Sequence, residues 1–562
     1  MGIMNRMCRR GRMSVAVALV LGIWGSAGAF EIVTGNDNVA IHWDNTFRYT
    51  LAQRLRGQDP QITGSVNNDD GDRNFDVGIV SSRLDLLTEA DLVYKGNYGV
   101  RLSAATWYDP VYRAGLDNNA PTAVSNNFVD GSQAHGLNAY TRRRFAGVDA
   151  ELLDAFAFAK ADLGEVPVSV RAGRHTIYWG EAFFPAAGNN GISYGQSPID
   201  MAKALAMPGV ELKEIFRPLN QISMQVQPTK DLTIAGQYYL QWESNIFPET
   251  GTYLGMVDGW LNSGQAFLFP GPPGGPPLVP VFNGGDRTPG QSGDWGVKVA
   301  YTPEALAGGT VALHYRNFTD KLPQVTLDST FHFHNDYHSN ISLYGISFAK
   351  QIMGISVGSE FSIRENMPLT SSWFSPAGAR GETMHAVLNF LTLLPKTPLF
   401  DTGAAILEFT FSRWNKITDH PEAFTGNAGT NLLGGPTNVG LGGATRDNST
   451  VTVNIVPEWK QVLPGVDMAM PLNFSVGMHG NAATLTGGTA GTGSYSAGLS
   501  FDVFAKYKID LTYASFFGNV NPDPVTGQVL PPGLAGPGQG ASDAIALLRD
   551  RDMLSLTLKA TF

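Results

Sequence analysis

The chain has 562 residues, 65 of them glycine, with 10% aromatic and only 16% charged side chains. That is ~12% glycine against about 7% on average, and a charged share well under the usual ~25%; this composition fits an all-β protein and excludes disorder. Asp plus Glu number 49 and Lys plus Arg 39, a formal charge of −10, so the basic footprint of a nucleic-acid binder is absent.

In chain order, Arg6, Arg9, Arg10 and Arg12 precede the apolar run Val15 to Trp24 and the small residues Ala27-Gly28-Ala29. This pattern predicts a secretory signal peptide over residues 1–29, cleaved before Phe30, because the apolar run is too short to span a bilayer as a helix. Without that segment, the 39 basic residues less these four leave 35 against 49 acidic ones, a charge of −14. The only cysteine, Cys8, leaves with the segment, so disulfide and thiolate chemistry are excluded.

From residue 41 onward polarity alternates at period two, the signature of strands. Trp43, Asn45, Phe47, Tyr49 and Leu51 share one face, opposite His42, Asp44, Thr46 and Arg48. Eighteen such segments are predicted, near 41–51, 82–94, 98–108, 150–162, 166–175, 215–227, 232–243, 294–302 and 310–318, then 339–349, 355–365, 381–394, 403–414, 448–459, 471–479, 495–505, 507–517 and 551–562. Short turns such as Lys95-Gly96-Asn97 alternate strictly with long connections such as 109–149, 176–214, 244–293, 415–447 and 518–550. A soluble sandwich has no reason to sort its loops by length, whereas transmembrane barrels pair tight periplasmic turns with long extracellular loops.

The last segment, Leu554 to Phe562, alternates cleanly and ends on an aromatic, resembling the closing strand that outer-membrane assembly machinery reads. The expected architecture is an all-β, antiparallel transmembrane barrel of about 18 strands (16–18) over residues 30–562, in the outer membrane of a Gram-negative bacterium. Outer-membrane lipid, lipopolysaccharide and the barrel assembly machinery are its expected partners. Aromatics near strand ends (Trp43, Tyr94, Tyr98, Trp107, Trp242, Trp295, Trp414, Trp459, Phe517, Phe562) are read as interfacial girdles.

The alternation turns ionisable groups inward. The densest are Arg83, Asp85, Glu89 and Asp91, with Arg101 on the next strand. Arg171, His314, Arg316, Glu360, Arg364, His385, Glu408, Asp502 and Lys506 follow. Such groups either set selectivity or pair across strands and solvate the wall. Arg171-Ala-Gly-Arg174-His175, then Tyr178-Trp179-Gly180-Glu181, closes one strand and opens the long loop 176–214. That loop is expected to fold into the lumen as a constriction, with Tyr178 and Trp179 on an apolar path and Arg171, Arg174 and His175 favouring anions.

Asn67 to Asp72 matches a calcium loop only loosely and reads as a solvated external loop. His332, His334, Asp336 and His338 are evenly spaced, but the interleaved Phe331, Phe333 and Tyr337 favour an aromatic rim over a metal site. The tract Pro270 to Pro280 reads as an irregular external loop. No nucleophile elbow, HExxH or P-loop occurs, so no catalytic residue, metal or cofactor is assigned, and the chain reads as a channel rather than an enzyme.

Several of these strings together resemble the DUF1302 family of proteobacterial proteins, a family of unknown function. They are Asn68-Asp69-Asp70-Gly71-Asp72-Arg73-Asn74-Phe75, Ser82 to Leu86, Glu151 to Phe156, Arg171 to His175, Trp179-Gly180-Glu181 and Glu214-Ile215-Phe216-Arg217-Pro218. The resemblance runs through the mature chain and implies an outer-membrane barrel, encoded near a periplasmic lipoprotein-sorting-like protein, a resistance-nodulation-division exporter and catabolic genes for hydrophobic compounds. It supplies no catalytic residue. The expected function is porin-like passage of small amphipathic or hydrophobic solutes. The alternative is an outer-membrane component of a lipid or hydrophobic-compound export system working with such an inner-membrane transporter.

Overall fold

The computed structural model describes residues 30–562 apart from 33, 114–115, 119, 130–131, 147–148, 185–188, 207–214, 262–263, 291, 427–440, 525–526 and 530–539. The signal-peptide reading of residues 1–29, and Glu214 of the Glu214 to Pro218 string, lie outside the described residues.

Eighteen strands form the wall. They are β1 (Val39–Arg54), β2 (Gly78–Tyr94), β3 (Tyr98–Tyr108), β4 (Asp149–Leu163), β5 (Val166–His175), β6 (Leu219–Thr229), β7 (Leu232–Tyr239), β8 (Trp295–Tyr301) and β9 (Thr310–Phe318). The second half comprises β10 (Ile341–Ile352), β11 (Ile355–Pro368), β12 (Arg380–Leu394), β13 (Thr402–Asp419), β14 (Asp447–Leu463), β15 (Leu472–His479), β16 (Gly493–Val503), β17 (Tyr507–Phe517) and β18 (Met553–Thr561). Two short pieces, Phe30–Glu31 and Val466–Ala469, join the same sheet.

Every wall strand pairs antiparallel with its neighbours, and β1 pairs with β18 from Thr46↔Thr561 to Arg54↔Met553, which closes the barrel. Closure is what a membrane demands, since an unpaired backbone N–H or C=O costs several kcal/mol in hydrocarbon. Phe562 extends the seam: its backbone exchanges hydrogen bonds with Asn45, and its ring stacks on Phe47 at 5.4 Å. At the short-turn rim, Lys95-Gly96 and Phe504-Ala505 both have two positive φ values, the conformation whose twist matches a two-residue hairpin.

Side chains obey the alternation. Along β11, Ile355 and Phe361 are exposed on the outer face while Glu360, Ser362 and Arg364 are buried inside. Leu84, Leu313, Tyr344, Ile346, Leu388 and Leu499 continue an exposed apolar band around the wall. A band of that extent would be an aggregation surface in water and is neutral only against acyl chains. The molecule is thus a transmembrane barrel. Leu388→Arg, central in β12 and outward, is expected to lower folding stability in lipid vesicles by about 2–4 kcal/mol, read from urea titration of tryptophan fluorescence.

Three expectations are corrected. The sixth strand begins at Leu219 rather than 215, because Phe216 bridges back to Ile199 and stays with the loop; the seventh ends at Tyr239 rather than 243. Trp107 and Trp242 are not girdle residues: both are buried, their indole N–H groups donating to the carbonyls of Arg144 and Asp320. Trp107 points inward and lies between the guanidiniums of Arg83 and Arg144, at 5.1 and 4.8 Å.

The third concerns the Pro/Gly tract. Pro270 ends a strand, Ala266–Pro270, that pairs with Leu278–Arg287, and these join Phe333–Asp336 and Gln324–Leu327 in a four-stranded sheet within the long loops. Phe267, Phe333, Trp260, Phe247 and Leu327 from these loops form one buried cluster with Phe318 and Leu343 of the wall. The hydrophobic core therefore sits inside the barrel mouth, built by loops.

Candidate functional site

The connection between β5 and β6 enters the barrel and is fastened to inward-facing groups of the opposite wall. Glu360 on β11 accepts backbone N–H bonds from Glu181, Ala182 and Ile192. Glu408 on β13 accepts from Phe183 at 2.7 Å and Phe184 at 3.1 Å. Arg364 donates to the carbonyls of Asn189 and Gly191 at 2.9 and 2.8 Å, and Arg316 on β9 donates to those of Ile192 and Tyr194 at 2.9 and 2.6 Å. His385 meets the Asn190 side chain at 3.0 Å, and Asn389 donates to the Glu181 carbonyl at 2.6 Å.

Two carboxylates and two guanidiniums thus balance in charge while each satisfies backbone groups of a loop that would otherwise be unpaired inside the protein. Room for the loop is cut from both sides. Gly180 has φ +110°, and a Cβ there would lie 2.4 Å from Glu360 Oε1; one at Gly358 would lie 2.5 Å from Asn389 Oδ1.

Tyr178 and Trp179 belong to this inserted loop but do not face open space. Tyr178 packs on Phe216 at 5.5 Å, and buried Trp179 lies against the wall at Gly296 and His314. Arg171 and His175 share one face of β5. Arg171 lies over the Phe156 ring at 5.8 Å, and His175 is buried with Nε2 2.8 Å from Ser223 Oγ. Arg174, on the alternate face, binds Glu243 at 3.0 Å and the Leu152 carbonyl.

Arg101 gathers Glu89, Asp91 (2.7 Å) and Asp154 (3.2 Å), and Arg83 binds Asp85 at 2.8 Å. These six residues are only partly buried and face the lumen as a paired wall. Asp154 was not legible in the sequence: it shares the parity of exposed Leu152 and turns inward only because a bulge shifts the pairing with β3 between Leu102 and Ala104.

Beneath the outer loops lies a cavity of about 300 Å³. Its roof is apolar: Met256, Trp260 and Trp373 from the loops, Met201 and Leu205 from the short helix Met201–Ala206 of the inserted loop. Its opposite side is the strand wall, where Thr450, Thr452, Asn473, Ser475 and Ser494 contribute hydroxyls and amides. Four of these groups are paired laterally, Thr450 with Thr410 at 2.6 Å, Thr452 with Ser475 at 2.9 Å and Asn473 with Ser496 at 3.2 Å, so this face is polar and uncharged. The signal for it was the run Asn448, Thr450, Thr452, Asn454 at period two.

The reading of Asn67 to Asp72 as a solvated loop is overturned: Asn67, Asn68, Asp69, Asp70 and Asp72 are all at most 3% exposed. Loops brought in from far along the chain cover them. Asp70 N–H donates to Asp258, Asn67 binds Leu268 and Asn126, and Asp69 binds Arg73 at 2.5 Å. Among the described residues no group of three or more acidic, His or Cys side chains is arranged to hold a metal ion. His334 Nε2 instead lies 3.0 Å from Asp328, with His332 4.0 Å from the same carboxylate, while Asp336 is held by Thr326 and Arg287 and His338 is partly buried.

Burial pushes Asp69 up to about 8, helped by the charge of Asp70 and opposed by Arg73; burial likewise raises Asp70 to about 6, opposed by His135, and lifts Asp258 well above its ordinary value. A raised carboxyl binds its proton more tightly in the packed loop than in the opened one. Its contribution is therefore full below about pH 4 and is lost as pH climbs toward 8. Amide exchange across residues 59–76, corrected for intrinsic rates, is expected to be on the order of tenfold faster at pH 8 than at pH 5.5, and Asp69→Asn should flatten that slope.

Fold and lumen together define a closed eighteen-stranded transmembrane barrel with one long loop drawn inside. The family described as "Protein of unknown function (DUF1302)" matches residues 10–562, and the chain belongs to it. No curated protein matches the sequence. Solved structures similar to it include Acinetobacter baumannii OccAB1, at 10% identity over 95% of this chain and 98% of that one with a TM-score of 0.40. Pseudomonas aeruginosa OccD3 (OpdP) is similar at 10% identity over 96% and 94% with a TM-score of 0.39, and Pseudomonas putida OprB at 10% over 93% and 94% with 0.36.

Proposed function

We propose that this protein is a porin-like channel of the outer membrane that lets small amphipathic or hydrophobic solutes pass through its lumen, narrowed by the inserted loop, without performing catalysis. The observation that carries this reading is the cavity of about 300 Å³ inside the barrel, with an apolar roof facing a wall of hydroxyls and amides. Such a surface gives an amphipathic molecule an apolar contact and a hydrogen-bonding one at the same moment, and its volume lies at the small end of ligand sites. Cavity and inserted loop both lie within the wall, so a solute held there has already left bulk water.

Purified protein in planar bilayers is expected to give discrete conductance steps, with brief blockades when a solute such as 2-naphthalenemethanol is added on the long-loop side. A folded barrel that stays electrically silent would overturn the reading.

A further inference from the structure

We propose that the cavity selects uncharged apolar molecules carrying a single hydrogen-bonding group, such as an alcohol, and turns away the matching carboxylate. This rests on the channel reading only in taking the cavity as the solute's place; the preference itself follows from the lining.

Among the described residues no Lys, Arg or His lines the cavity, and the only charged side chains that do are Asp320 and Asp543. Both are acceptors already engaged by neighbouring loop groups. Asp320 takes the Tyr194 hydroxyl at 2.7 Å and the Leu322 N–H at 3.0 Å, and Asp543 takes the N–H of Ile545 at 3.2 Å. The buried guanidiniums beneath, Arg316 and Arg364, are outside the lining and already hold the inserted loop through its carbonyls. A carboxylate entering this space loses its water, finds no cation, and meets two carboxyl groups; burying an unpaired charge is the most costly of such transfers.

A hydroxyl suffers no such loss. The Thr452–Ser475 pair can accept from it or donate to it, because each hydroxyl does both. The body of the molecule meets Trp260 and Trp373, whose ring centroids lie 5.9 Å apart, and Met256 beside them. Polar end and apolar end are therefore both read, and the sign of the charge is the discriminating feature.

The test is calorimetric binding of 2-naphthalenemethanol and 2-naphthoate to the full-length protein in lipid nanodiscs at pH 7, with empty nanodiscs subtracted. The alcohol is expected to bind at least tenfold more tightly than the carboxylate. Leu205→Trp, which fills the cavity, should abolish the alcohol's binding. Thr452→Lys, which places a cation on the wall, should raise the carboxylate's affinity at least tenfold. Equal or tighter binding of the carboxylate by the natural protein overturns the proposal, as does alcohol binding indifferent to Leu205→Trp in a folded variant. Binding and conductance separate the two readings. A conducting barrel without the preference sinks this inference alone, and a selective but non-conducting one sinks the channel.

Discussion

Replacing Glu360 and Glu408 together with alanine is expected to raise the single-channel conductance of the reconstituted protein several-fold. The two carboxylates accept five backbone N–H bonds from the inserted loop, those of Glu181, Ala182, Phe183, Phe184 and Ile192. Each N–H left inside without an acceptor costs about 1–3 kcal/mol, so the inserted position loses on the order of 5–15 kcal/mol, as much as holds many whole domains together. The wall does not share that cost, because its own ladder is closed without the loop. The loop escapes the penalty by leaving the lumen for water, and an eighteen-stranded wall without it encloses an aqueous passage.

Glu360→Gln keeps one acceptor oxygen and the volume, and should give an intermediate conductance. An unchanged conductance in a double variant whose barrel remains folded would show that the loop is held by its apolar contacts instead.

The wall was legible because a membrane barrel imposes one rule on every strand. Parity alone set Glu360 and Arg364 inside and Phe361 outside, and loop lengths alternated visibly along the chain. What Glu360 holds was not legible: its partners lie 168 to 179 residues upstream on a loop with no periodicity. Trp107 shows a different loss. Its position near a strand end suggested a girdle, while its parity, opposite to exposed Val100 and Leu102, already placed it inward. Parity decides the face and position only the depth. The Asn67 to Asp72 string was misread for a third reason: polar residues look solvated unless their covers are known, and those covers include Asn118, Asn126, Asn127, Asp258, Leu268, Val529 and Arg551 from far along the chain.

The largest loss of stability is expected from Arg551→Ala. Arg54, Asp72, Asp550 and Arg551 form a tetrad at most 1% exposed, where the end of β1, the first long loop and the approach to β18 meet. Arg54 binds Asp72 at 2.6 Å and Asp550 at 3.0 Å; Arg551 reaches the same two carboxylates at 3.2 and 3.3 Å. Both guanidiniums also lie about 6 Å from the Tyr253 ring centroid, at 5.9 and 5.8 Å. With two charges of each sign the set is neutral, and removing one member leaves an uncompensated buried charge, which costs about 3–5 kcal/mol. The same arithmetic predicts that Asp72→Ala is as damaging. The fourfold variant Arg54→Met, Asp72→Leu, Asp550→Leu and Arg551→Met should recover most of the loss, since apolar side chains of similar volume need no partner. Urea midpoints followed by tryptophan fluorescence in lipid vesicles distinguish the cases. If the single variants unfold at the natural midpoint, the tetrad is hydrated and does not hold the seam; if the fourfold variant falls further than either single one, its hydrogen bonds to backbone, such as Arg54 to the Phe75 carbonyl at 2.8 Å, matter more than its charge balance.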